Sequence, residues 1–155
     1  MIPLFKENTE NEGFETLERK MVRTLALHRE MKKLLEAEYG AGQAFDTQTL
    51  AKLTLRKNNC VNRFEHLVSS IRDQLKRMAG RKLPRTCPRT LANRLKAIPG
   101  LTPDLEASLL PLARDLEEEN RLLIQATRRN MVMLKGATKR LWAVSQYTAN
   151  HGKLV

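Results

Sequence analysis

Apolar residues recur at steps of three and four along most of this chain. From Phe14 the series runs Phe14, Leu17, Met21, Leu25, His28, Met31 or Lys32, Leu35 and Tyr39, with Glu15, Glu18, Arg19, Lys20, Arg29 and Lys33 on the other side. That spacing keeps one face of a 3.6-residue helix apolar and predicts a helix over about 14–39. Residues 1–12 are polar and are expected to fray, and Gly40-Ala41-Gly42 reads as a helix stop. Asp46 or Thr47 can cap a second helix over about 46–79. Its repeat is cleaner: Leu50, Leu53, Lys57, Cys60, Phe64, Leu67, Ile71, Gln74 or Leu75, and Met78. Four heptads of this kind make the seam of a coiled coil or helical hairpin, with Lys57 as a polar exception that snorkels or sets register. The stretch 81–89 holds two prolines and four basic residues and predicts a loop. A short helix over about 90–98 follows, with Leu91, Leu95 and Ile98 on one face, before Pro99-Gly100.

The last run, about 103–147, has Thr102 as cap, Pro103 at the first helical position and Asp104 in the first turn. Its seam is Leu109, Leu112, Leu116, Glu119, Leu123, Ala126, Asn130, Met133, Ala137, Leu141 and Val144, and Pro111 predicts a bend. Beyond Asn120 the helix carries more than a seam: Leu122-Leu123-Ile124, Met131-Val132-Met133-Leu134 and Leu141-Trp142-Ala143-Val144. Four consecutive residues sweep ~300° of a helix, an arc that no single neighbour covers. Such a helix is the centre of a closed bundle, a dimer interface, or a surface that takes up a partner. The whole pattern predicts an all-α chain, one helical domain over 1–155, built as an antiparallel hairpin or coiled coil with a long C-terminal helix packed along it.

Charge divides that helix. Residues 105–120 carry one basic and five acidic side chains, whereas 121–155 carry seven basic and none acidic. The chain as a whole is +11, which favours acidic partners: nucleic acid, an anionic membrane face or an acidic protein. No apolar run approaches the ~20 residues that span a bilayer, and Met1-Ile2-Pro3-Leu4-Phe5 is too short for a signal core, so a cytoplasmic protein without membrane insertion is expected. Cys60 and Cys87 make no disulfide framework and read as inert.

No catalytic constellation is visible. His28, His66 and His151 are scattered, and there is no metal-ligand spacing, no phosphate loop and no nucleophile elbow, so neither an enzyme nor a cofactor is expected. Glu117-Glu118-Glu119 reads as a solvated face. The region Arg81–Lys96 and the acid-free C-terminal third could meet phosphates. Yet Arg121, Arg128, Arg129, Lys135, Lys139 and Arg140 are spread around the helix, with apolar clusters between them. A helix-turn-helix would place the acidic 104–119 segment on the nucleic acid. A basic nucleic-acid-binding or regulatory coiled coil is therefore the alternative, not the leading reading.

Four stretches resemble a known family. Ala44-Phe45-Asp46-Thr47-Gln48-Thr49-Leu50-Ala51-Lys52-Leu53 is similar to its Asp-led Leu-x-x-Leu, and Arg56-Lys57-Asn58-Asn59-Cys60-Val61 to its Glu-Lys-x-x-Leu-Leu. Leu116-Glu117-Glu118-Glu119-Asn120-Arg121-Leu122-Leu123-Ile124 resembles its Leu-x-x-x-Asn-x-x-Leu-Ile, and Tyr147-Thr148-Ala149-Asn150-His151-Gly152 its terminal Tyr-x-x-x-Gly. Together they resemble the FlgN-type flagellar export chaperones over roughly 14–152. The resemblance implies a small chaperone without nucleotide use. It would bind the C-terminal helices of hook-associated (hook–filament junction) proteins and deliver them to the flagellar export apparatus. It further implies that the C-terminal helix binds the client, with Asn120 central, and that Tyr147 docks at the export gate.

A helix in a groove is read through anchors at i, i+3, i+4 and i+7. Leu116, Asn120, Leu123, Ile124, Thr127, Met131, Leu134 and Leu141 follow such a path and are the expected partner-binding residues. Met131 in it can repack around more than one client, and the surrounding Arg and Lys would speed encounter with an acidic one.

Overall fold

The apolar series become four helices in the computed structural model of the chain, which describes residues 3–80 and 90–151. They are α1 (Pro3–Gln43), α2 (Thr47–Ala79), α3 (Leu91–Lys96) and α4 (Pro103–His151). The fold is all-α. Gln74 of α2 donates to Gly13 O near the start of α1, and Lys57 meets Glu38 near its end, so α1 and α2 form an antiparallel hairpin. Along α4 the order is the reverse: Ser108 reaches Glu18 and Asn130 reaches Leu35, so α4 runs parallel to α1.

The capping residues act as their chemistry requires. Asp46 Oδ1 accepts from Thr49 N at 3.1 Å, Thr90 Oγ1 from Asn93 N at 3.4 Å and Thr102 Oγ1 from Leu105 N at 3.3 Å. Hydrogen bonds from the Thr49 hydroxyl and amide hold the Asp46 carboxyl below its ordinary pKa. The α4 helix continues through Pro111, whose missing N–H lies on an exposed side.

The middle helix is α1, not the last one. Both α2 and α4 pack on it, and α3 packs on α4; no other pair of helices makes a comparable contact among the described residues. Burial therefore covers two sides of α1. Phe14, Leu17 and Met21 are essentially inaccessible, and Thr24, Leu27, His28 and Glu38 are also buried. Full burial of each large apolar side chain contributes ~1.5–3 kcal/mol. At this closed end Ile71, Leu75 and Ala79 of α2 join Leu95, Ile98, Leu109, Leu110, Ala113 and Leu116 in one core.

Two boundaries of α1 differ from expectation. The helix begins at Pro3, whose fixed φ suits a first turn, so residues 3–12 belong to it. It also runs through Gly40-Ala41-Gly42 to Gln43. Gly42 here serves close approach, not termination. Ala41 and Gly42 are buried, and a Cβ on Gly42 would run into the Met133 thioether of α4. The turn closes just beyond, with Asp46 N donating to Ala41 O at 3.0 Å and Phe45 at a left-handed φ of 54°.

Gly40 and Gly42 should thus respond oppositely to substitution. Nothing lies within 4 Å of a Cβ at Gly40, so Gly40→Ala should stabilise by ~0.5–1 kcal/mol. Gly42→Leu must expel Met133 and should destabilise by ~1–3 kcal/mol. Urea denaturation of the two variants checks both signs.

Candidate partner-binding groove

Because α1 separates α2 from α4, a groove of about 490 Å³ opens between them. Leu27, Met31 and Leu35 of α1 form its floor. Val61 and Phe64 of α2 line one wall, and Leu123, Ile124, Thr127, Met131 and Leu134 of α4 line the other. Lys57, Val61 and Phe64 of α2, which line this opening, are only half-buried. Across it, Ile124 is 44% exposed and Met131 52%.

One end of the groove is closed by a buried polar network. Glu38 of α1 is 2% exposed, and each of its carboxylate oxygens serves a different helix. Oε1 meets Lys57 Nζ of α2 at 2.5 Å, and Oε2 accepts from Asn130 Nδ2 of α4 at 2.8 Å. The same amide nitrogen donates to Leu35 O at 2.7 Å, while the Arg129 guanidinium reaches Asn130 Oδ1 at 3.4 Å and stacks 4.2 Å from the Tyr39 ring centroid. Every polar atom of Asn130 is satisfied at 2% exposure. A buried carboxylate is tolerable only with such partners. Lys57, its side chain 28% exposed, also lines the groove.

Phe64 and Asn120 of the groove also line an adjacent cavity, and His28 belongs to that one. His28 Nδ1 sits 3.1 Å from Thr24 O, and its ring meets Phe64 edge-on at 4.7 Å. Neither His28 Nε2 nor Glu119 Oε2, both buried, has a hydrogen-bond partner among the described residues. Burial lowers the His28 pKa below 6.5; the Thr24 carbonyl, the Glu119 charge and the Asn120 amide act in the opposite direction without overcoming it. Cys60, 2% exposed with Sγ 3.7 Å from Leu27 O, has its pKa raised by burial and is poorly placed as a nucleophile. Cys87 lies outside the described residues.

Asn120, Leu123, Ile124, Thr127, Met131 and Leu134 are brought together along this groove. Leu116 is not: at 6% exposure it belongs to the core. Leu141 and Tyr147 belong to α4, but their side chains lie outside the described residues. The glutamate run is not one solvated face, because three successive residues span ~200° of a helix. Glu117 Oε1 accepts from Ala92 N at 3.2 Å and caps α3, Glu118 pairs with Arg121 at 2.6 Å in solvent, and Glu119 turns inward. The floor and the α2 wall escape a sequence search directed at the last helix, although the polar interruption at Lys57 marks their edge. No helix among the described residues is long and apolar enough to cross a membrane. No protein-family model, curated protein or solved structure matches the chain.

Two measurements test this geometry. Lys57→Met leaves the Glu38 carboxylate with Asn130 as its sole remaining partner among the described residues, and should destabilise by ~1–3 kcal/mol in urea denaturation, with non-additivity against Asn130→Leu. The lowered His28 pKa means that the folded state holds this ring neutral. Its contribution is complete above about pH 6.5 and is lost as pH falls from there through the folded pKa. Thermal midpoints should therefore fall between about pH 7.5 and pH 5.5, and His28→Gln should shrink that fall.

Proposed function

We propose that the chain is a FlgN-type export chaperone. It works in the cytoplasm, without nucleotide, by holding the C-terminal amphipathic helix of a hook-associated (hook–filament junction) protein in the groove between α2 and α4. The observation that carries this proposal is the uncovered apolar surface of α4. Fully buried residues are frequent up to Leu116, yet Asn130 alone reaches that state among the described side chains beyond it. A bound helix would bury Ile124 and Met131 and complete a four-helix arrangement around α1. Masking the client's own apolar stripe is what would keep it from assembling early. Tyr147, near the end of α4, is the proposed contact to the export apparatus.

The chain's basic charge also suits nucleic acid, but the groove does not. Apart from Glu38, Lys57 and Arg128, its walls are uncharged. Such a channel offers little to a phosphate backbone, whose binding is dominated by counterion release.

Ile124→Asp and Met131→Asp place a charge where a client would pack. Both sites are more than two-fifths exposed, so stability should change by less than about 1 kcal/mol. The Kd for a C-terminal helical fragment of a hook–filament junction protein should rise at least about tenfold in calorimetric titration. Unchanged affinity in both variants would exclude the groove as the client site.

A further inference from the structure

A second cleft, of about 660 Å³, lies where the end of α1 and the α1–α2 turn meet another face of α4. Arg129, Val132, Gly136 and Arg140, at steps of three and four, form its α4 side, with Arg128 at the edge and Phe45 opposite. No carboxylate lines it among the described residues. Val132 is 73% exposed and Phe45 43%, so apolar surface is set between arginines.

Gly136 is the informative position. Like Gly40 and unlike Gly42, it has no atom of the described residues within 4 Å of an added Cβ, and its φ lies outside the left-handed range. Neither packing within the chain nor backbone conformation requires glycine here, although glycine inside a helix costs stability relative to alanine. A bare backbone beside Val132 lets an external element come closer than any side chain would permit. Phe45, held exposed at a φ of 54°, is a second local cost at the same cleft.

We infer that this cleft is a docking surface for an acidic amphipathic helix of a partner protein, its apolar stripe lying over Gly136 and Val132 and its carboxylates meeting Arg128, Arg129 and Arg140. Charge complementarity selects the partner. A phosphate backbone would satisfy the arginines and leave Val132 and Phe45 in water, and a second copy of a +11 chain is repelled overall. The cleft adjoins the groove at Arg128, which lines both, but the rest is distinct: Gly136 and Arg140 line only the cleft, and Ile124 lines only the groove.

Fluorescence anisotropy with a labelled synthetic helix tests the assignment on the full chain. The probe carries leucines at i, i+3 and i+7 flanked by glutamates; a lysine-flanked version and a DNA oligonucleotide serve as controls. The glutamate helix should bind, with affinity falling as salt rises. Arg140→Glu and Gly136→Leu should each weaken it at least about tenfold, while Ile124→Asp leaves it unchanged. Gly136→Ala should raise the thermal midpoint while weakening the probe, a pair of effects that a merely structural glycine would not give. Absence of binding, insensitivity to Arg140→Glu and Gly136→Leu, loss with Ile124→Asp, preference for the lysine helix or DNA, or self-association through the cleft would each overturn the inference.

Discussion

The buried carboxylate of Glu38 is the constraint on which the open arrangement depends. It sits on the middle helix and reaches Lys57 of α2 with one oxygen and Asn130 of α4 with the other. Two helices that otherwise scarcely touch are thereby fixed in register against α1, far from the apolar core at the closed end. An apolar contact could hold the same helices but would tolerate sliding by a turn. Two charge-assisted hydrogen bonds to separate oxygens do not, because any slip leaves a buried charge unpaired. Gly42 acts beside this network, admitting Met133 to a contact that a larger residue would block.

That arrangement explains how α4 can be both core and surface. Its first half, through Leu116, closes the core with α1, α2 and α3. Its second half is held by Asn130 and Met133 at a distance from α2, and its apolar residues stay half-exposed over the groove. The change from acidic to basic side chains near Asn120 coincides with this change of role. Glu117 and Glu119 on the acidic side are used internally, one capping α3 and one turned toward the interior on the side of His28.

Much of the fold is legible in the sequence where one periodicity has one cause. The three-four step of α2 faces a single neighbour, and Leu53, Cys60, Ile71 and Leu75 are buried as that step demands. Asp46, Thr90 and Thr102 cap because their side chains have no better use at those positions. The pattern fails on α1, which is covered on two sides. Thr24 and Glu38 look solvent-facing by residue type, yet the second neighbour buries them. Glycine is ambiguous in the same way: Gly40-Ala41-Gly42 satisfies the signature of a helix end, and only the position of Met133 shows that Gly42 serves close approach. Half of the site was therefore visible. The α4 wall announces itself by excess apolar surface, whereas the α1 floor and α2 wall look like ordinary seam residues until the distance between α2 and α4 is known.

Hydrogen–deuterium exchange of the full chain, alone and with the C-terminal helical segment of a hook–filament junction protein, tests the central claim most directly. A helix seated between α2 and α4 should slow exchange on both walls together, around residues 57–64 and 120–134. Protection confined to α4, or to its last turns beyond residue 137, would contradict the groove.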